Sequence, residues 1–404
     1  MTAERDAVWI VGASMTPFGR FPERDVVDLG STAAFGALAD AGFTAEDLDV
    51  LAAGNLNQST AMVAQRILKQ IGQTGIPAYN VTNACATGST AVRTVYMAIR
   101  AGEAQCGLVV GVEQMGKQGL LGTAGRARKA PEHYEPSGRY GAVLGVEGLL
   151  GTSLMPGVFS QGATEYAGRH PGVGFEQFAR VAEKSHAHSV LNPLSQYRKA
   201  YSLEEIMSAE MVAYPNTLLM CCPSADGAAA VVLVSEEKLH TLERDQQRRA
   251  VKISASVLTS DPWTEGGHMQ PDFNTLTRRA ADQAYETAGV GPEDLDLVEL
   301  HDCFATAELL HYENLRLCED GGAGEFIDSR QPWRDGRTPV NVSGGLVSKG
   351  HPFGATGVAN LYELTMHLRQ EAGERQIENA KVGLAHVIGL GSACTVHILE
   401  RAAA

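Results

Sequence analysis

Part of this sequence occurs twice. Ala41-Gly42-Phe43-Thr44-Ala45-Glu46-Asp47-Leu48-Asp49-Val50 is echoed 247 positions later by Ala288-Gly289-Val290-Gly291-Pro292-Glu293-Asp294-Leu295-Asp296-Leu297. Each copy follows an alanine-rich helical stretch and carries a glycine suited to a helix C-terminal cap. Each leads into a short apolar run, Val50 to Ala53 or Leu297 to Leu300. A second pair keeps the same order. Cys85-Ala86-Thr87-Gly88 and His351-Pro352-Phe353-Gly354 lie 266 positions apart, and each opens a helical pattern, to about Arg100 or Arg369. An internal repeat restricts the fold before any local propensity is weighed. It predicts two similar α/β halves, at 1–250 and 251–404, with a modest insertion in the second.

Within each half, strand-like and helix-like patterns alternate, which favours layered α/β architecture. Val8 to Val11, Leu108 to Val112 and Val231 to Val234 read as buried strands of the first half. Val251 to Leu258, Val298 to Leu300 and Val382 to Ile388 read so in the second. Between about 115 and 223 the character changes to Gly, Tyr, His and charge, with short helices such as Phe175 to Ala187. This stretch reads as a loop domain inserted in the first half, a candidate lid or ligand platform.

With 404 residues, 44% of them hydrophobic, the chain can bury a large core. Its net charge of −14 argues against nucleic acid as partner. A basic stretch at Arg126, Arg128, Lys129 and Arg139 reads either as an anion-binding patch or as a solvated loop. The seven cysteines lack metal-type C-x-x-C spacing and fit free thiols in a reducing compartment. The N-terminus has no apolar signal core, no run is long enough for a membrane helix, and the C-terminus is no peroxisomal address. A cytoplasmic location is expected.

Cys85 sits between a strand and a helix, where the positive end of the helix dipole favours the thiolate. A buried structural cysteine is the competing reading. His351 tips the balance, because a pseudo-twofold relation would bring the two corners together as nucleophile and base. His301-Asp302-Cys303-Phe304 ends an apolar run, where α/β sites commonly lie. In an extended segment His301 and Cys303 point the same way. His301 could donate to a thioester oxygen and Cys303 could move a proton, with core packing the alternative for Cys303. Gly389 could offer its N–H to an oxyanion or merely make a tight turn. Ser224 could touch a ligand, while Asp226 reads as a turn anchor. His186 and His188 lack the i, i+4 spacing of a helical metal site, and nothing else points to a metal.

The Cys85 corner, Asn341-Val342-Ser343-Gly344-Gly345, Gly350-His351-Pro352-Phe353-Gly354-Ala355-Thr356-Gly357 and the closing glycine turn together resemble the thiolase superfamily. His301-Asp302-Cys303-Phe304, with Lys184-Ser185-His186 through Gln196, narrows the resemblance to its sterol-carrier-protein-type branch. The resemblance implies a five-layered αβαβα fold and a dimer or tetramer. It implies that Cys85 is acylated, that His351 takes the thiol proton, and that His301 with His351 forms one oxyanion hole. The N–H groups of Cys85 and Gly389 would form a second. Coenzyme A, a substrate and not a resident cofactor, would lie against the loop domain near Ser224. Many thiolases carry a second catalytic cysteine where this chain has Val387. Cys394 lies seven residues further on, a poor substitute, so Cys303 inherits the acid/base role. Members of this branch also pair with a small zinc-binding OB-fold partner, and some have become retro-aldolases.

The leading expectation is therefore a thiolase-type acyltransferase that forms or cleaves a carbon–carbon bond in a 3-oxoacyl-CoA through acyl-Cys85. The alternatives are a retro-aldol lyase on a coenzyme A thioester, working with the OB-fold partner, and a non-catalytic subunit that binds such esters.

Overall fold

The computed structural model describes residues 7–115, 154–262 and 273–402. The basic stretch at Arg126, Arg128, Lys129 and Arg139, and much of the proposed loop domain, lie outside them. Nine strands form the main sheet. They are β1 (Val8–Met15), β2 (Val50–Gly54), β3 (Ala78–Val81), β4 (Cys106–Gln114), β5 (Asp226–Ser235), β6 (Val251–Thr259), β7 (Leu297–Glu299), β8 (Val382–Gly389) and β9 (Ala393–Arg401).

Their order is β3-β2-β4-β5-β1-β6-β9-β8-β7, and the repeat is visible in it. From the middle outwards, the first half runs β1-β5-β4-β2-β3 and the second runs β6-β9-β8-β7. A parallel bridge from Val298 to Val340 supplies the fifth place in the second half. The directions agree as well. β1 with β5 and β5 with β4 are antiparallel, as are β6 with β9 and β9 with β8. β4 with β2 and β8 with β7 are parallel. In strand pairing the halves are joined at Trp9 with Lys252 and Ile10 with Val251.

Helices make the other three layers. On the outer face of the first half lie α1 (Val26–Ala41) and α2 (Val63–Ile71). The Asp25 side chain caps α1 by accepting from Val27 N and Asp28 N, and Gly42 ends it at φ 71°. The echoed Gly289 has φ 73°, so both copies use glycine where the chain turns left-handed. Between the two halves of the sheet run α3 (Thr87–Arg100) and α9 (Phe353–Leu368). One buried cluster joins Val8, Ile10 and Val109 from the first half of the sheet to Leu297, Ala385 and Leu399 from the second, with Val92, Val95, Val358 and Leu361 between. Almost all of α9 is buried, including the polar Asn360, Glu363 and His367.

The fifth layer holds α4 (Leu154–Arg169), α5 (Phe175–Ser189), α6 (Phe273–Ala288) and α7 (Ala305–Asn314), packed through Phe159, Phe178, Ala280 and Leu309 on Val298, Leu384 and Val396. The five-layered αβαβα arrangement is thus present.

The central helices approach closely because glycines line their crossing. A β-carbon at Gly88 would lie 2.5 Å from Gly354 O, and one at Gly354 would lie 2.4 Å from Val112 O. Such distances leave no room for a side chain. The crossing carries the start of each helix, with Cys85 or His351 just ahead of it, towards the other half.

Candidate active site

Cys85 follows Ala84, a non-glycine residue at φ 47°. Left-handed backbone at such a position costs on the order of 1–3 kcal/mol and needs surrounding support. The support is local. Thr87 Oγ1 donates to Ala84 O at 2.6 Å and accepts from Asn83 N at 2.7 Å. Cys85 itself is buried, packed with Ala86, Met115, Phe353, Val387 and Ala393.

His351 precedes α9. Its Nδ1 is 2.7 Å from Thr356 Oγ1, and that hydroxyl lies 3.0 Å from Pro352 O. With the threonine proton given to the carbonyl, Nδ1–H is the donor and Nε2 keeps its lone pair. Among the described residues, that Nε2 has no hydrogen-bond partner, and neither has Nδ1 of His301. The two rings meet edge to face, 5.0 Å apart. Ligating atoms of Cys85, His301 and His351 lie within 4.8 Å of one another. A strand end in one half and both corners therefore converge on one point.

The His301 segment is held from behind. Asp302 Oδ1 accepts from Leu346 N at 2.7 Å, in the short helix α8 (Gly345–Lys349). A β-carbon at Gly345 would sit 2.1 Å from Asp302 Oδ2. Asn341, itself at φ 54°, accepts from Leu300 N at 2.9 Å and donates to Glu308 Oε2 at 2.7 Å. Glu308 also pairs with buried Lys184, from α5, at 2.8 Å. The inserted segment thus helps fix the position of His301 and Cys303.

Electrostatics reverses one expectation. Burial, with the nearby Glu113 carboxylate second, pushes the Cys85 thiol up to about 12. A helix end supplies only about 0.3–1 kcal/mol towards the thiolate, and burial of this corner opposes it. Burial holds His351 down at about 3. His301 lies well below its ordinary value through burial and His351. The resting site is a neutral thiol beside two neutral imidazoles.

Cys303 is buried, and its thiol is raised well above the usual range by burial, then by Cys222 and Cys85. Cys222 is a residue the sequence reading passed over. Cys222 N donates to Cys303 O at 3.0 Å, beside an antiparallel bridge from Cys221 to Phe304. Alternation turns Cys221 away, towards Thr217 O at 3.2 Å. Ser224 follows two residues later, partly exposed, and its carbonyl accepts from Gln196 Nε2 at 3.4 Å. Asp226 Oδ2 accepts from Phe21 N at 2.8 Å, a turn anchor.

Gly389 ends β8 against the Cys85 corner. A β-carbon there would be 2.7 Å from Asn83 O and 3.3 Å from Ala86 N. Val387 is buried against Cys85. Cys394 points elsewhere, with Thr277 Oγ1 4.0 Å from its sulfur. Among the described residues, no helix is long and apolar enough to cross a membrane.

Glu113 was also missed. It is wholly buried and accepts from Leu56 N at 2.8 Å, Asn57 N at 3.2 Å, Asn55 Nδ2 at 3.0 Å and Gly354 N at 3.3 Å. In sequence it is only the polar end of an apolar strand.

Two family descriptions match the chain: Thiolase, N-terminal domain, over residues 8–200, and Thiolase C-terminal domain-like, over 263–401. Sterol carrier protein 2 of Oryctolagus cuniculus is 39% identical over 97% of this chain and 72% of its own length. An acetyl-CoA acetyltransferase of Methanothermobacter thermautotrophicus is 34% identical over 98% of this chain and 99% of its own. The solved structure described as an Ltp2-ChsH2(DUF35) aldolase superposes with a TM-score of 0.80 at 22% identity, covering 99% of each chain. At that identity it speaks for the fold. Layer order, converging corners and full-length sequence similarity agree that this chain belongs to the thiolase family.

Proposed function

We propose that this protein is an enzyme that breaks or makes the C2–C3 bond of a coenzyme A thioester, and that it does so by retro-aldol chemistry on a 3-hydroxyacyl-CoA. The observation that carries this reading is the content of the site. Two buried, neutral imidazoles with unpartnered nitrogens face a protonated thiol, and an aliphatic Val387 stands where many thiolases keep a second cysteine.

His351 Nε2 takes the proton of the 3-hydroxyl group. The C2–C3 electrons pass to the thioester enolate as C3 becomes an aldehyde or ketone. His301 and the N–H groups of Cys85 and Gly389 hold the enolate oxygen. A thiol, Cys303 or Cys85, protonates C2, and the thiolate regains its proton from His351. Protons balance, and no free coenzyme A is consumed. The fold likeness to the aldolase supports this reading. It also motivates an expected DUF35-type OB-fold partner, as well as coenzyme A binding near Ser224.

The second reading is acyl transfer through Cys85. The convergence of Cys85 and His351 within 4.8 Å and the likeness to an acetyl-CoA acetyltransferase favour it. One experiment separates the two. The protein is incubated with 3-hydroxyacyl-CoA and 3-oxoacyl-CoA substrates, with and without free coenzyme A, and the Cys85 peptide is weighed. A carbonyl product without free coenzyme A and without an adduct supports the lyase. An acyl adduct on Cys85 with coenzyme A-dependent turnover overturns it in favour of the transferase.

A further inference from the structure

The repeat lets the two halves be compared residue by residue at the strand ends. β2 and β7 correspond at the offset of 247, so Ala52 matches Glu299. Ala52 pairs with Val109 on β4, and Glu299 pairs with Ala385 on β8. Four residues on from Val109 is Glu113, and four residues on from Ala385 is Gly389. The same offset matches Gly54-Asn55-Leu56 to His301-Asp302-Cys303.

Glu113 therefore occupies, in the first half, the place that Gly389 holds beside the candidate site. In the second half that place has no side chain. In the first half a carboxylate fills it, bonded to the loop matching His301-Asp302-Cys303 and to the start of the helix that follows His351. We infer that Glu113 is a positioning residue, a built-in ligand in the symmetry-related copy of the site that clamps the start of α9 and sets the charge around Cys85.

Two observations besides the symmetry support this. The loop that Glu113 holds is tied to the Cys85 segment, because Thr82 Oγ1 donates to Asn55 O at 2.8 Å. Gly354, its partner on α9, sits three residues after His351 and has no room for a β-carbon. One carboxylate thus touches the supports of both corners. Among the described residues, the Cys85 thiol is raised by its charge, and Glu113 is itself held by the Asn55 amide and by backbone N–H groups. Burial raises Glu113 to about 7, so its charge changes near neutral pH.

The inference rests on Cys85 being the thiol of the site, and the test reads that thiol directly. The rate of Cys85 carbamidomethylation by iodoacetamide is followed by peptide mapping. In the native chain the rate should climb only about tenfold between pH 6 and 8, because Glu113 ionises over the same range and opposes the thiolate. An isolated thiol climbs about a hundredfold. In Glu113→Gln the full hundredfold climb should return, and the rate at pH 8 should exceed the native rate about tenfold. Glu113→Asp keeps the charge but shortens the clamp, so its alkylation profile should stay native while turnover falls at least tenfold. A hundredfold climb in the native chain, or native turnover in a folded Glu113→Asp, overturns the inference. Should Glu113→Gln not fold, these two readings still decide. Failure of the retro-aldol reading would appear in the products and leave the alkylation profiles unchanged.

Discussion

The two corners of the molecule have the same architecture and different contents. Each lies just ahead of a central helix, the Cys85 corner after β3 and the His351 corner after the short helix α8, and each faces the end region of a strand from the other half. At the Cys85 corner that strand ends in Gly389; at the His351 corner it carries Glu113 one residue before its end. A glycine leaves backbone and a gap, whereas a glutamate supplies its own acceptor and closes one. Duplicated halves need not give two sites. One side chain is enough to turn a second site into a support for the first.

Several substitutions sharpen or break this comparison. The largest effect belongs to His351→Ala, which removes the free Nε2. Turnover should fall on the order of 10³-fold, as for loss of a general base. Added imidazole should restore part of it, and a variant within tenfold of native would remove His351 from the mechanism. Gly389→Ala partly fills the gap, against backbone that cannot easily yield. We expect about a 10²-fold loss of turnover and roughly 1–3 kcal/mol of stability, read by steady-state assay and urea unfolding. Near-native values would mean that the two strand ends do not differ in function.

Val387→Cys restores the second thiol beside Cys85. Coenzyme A-dependent cleavage of a 3-oxoacyl-CoA should rise about tenfold while retro-aldol cleavage falls. No change in that ratio would remove Val387 as the discriminator. The Glu113 carboxyl is raised above its unfolded value, so the folded state holds its proton more tightly. Its stabilising contribution is present below about pH 4.5 and is lost as pH rises through about 7. The loss approaches about 3 kcal/mol. Urea unfolding at pH 5 and pH 8 should show this difference in the native chain and not in Glu113→Gln. The smallest effect is expected at Cys394→Ala: turnover within twofold and a cost of about 1 kcal/mol, since that thiol lies away from the site.

Much of this comparison was legible in the sequence, because it depends on order. The echo at Ala41 and Ala288 marks β2 and β7, and the corner motifs mark Cys85 and His351. Between His301 and Cys303, Asp302 turns into α8 and accepts from Leu346 N. What escaped notice depends on contacts between distant segments. Glu113 lies near the end of a strand like many others, and only the neighbouring loop and α9 give it meaning. Cys222 acquires a neighbour only when residues 221–222 lie along 303–304. The upward shift of the Cys85 thiol has a related cause. A helix dipole can be inferred from local sequence, but burial by the other half, with a carboxylate alongside, cannot.

The dependence of each corner on the opposite strand end has a consequence for biosynthesis. A ribosome finishes the segment bearing Cys85 long before it reaches His351, and Gly389 emerges later still. A nascent chain therefore carries its thiol without the imidazole or the strand end that completes the site. Truncated products cannot react as the finished protein does. Two separately expressed halves should recover activity only after they associate, and their rate of recovery would time the docking of α9 against α3.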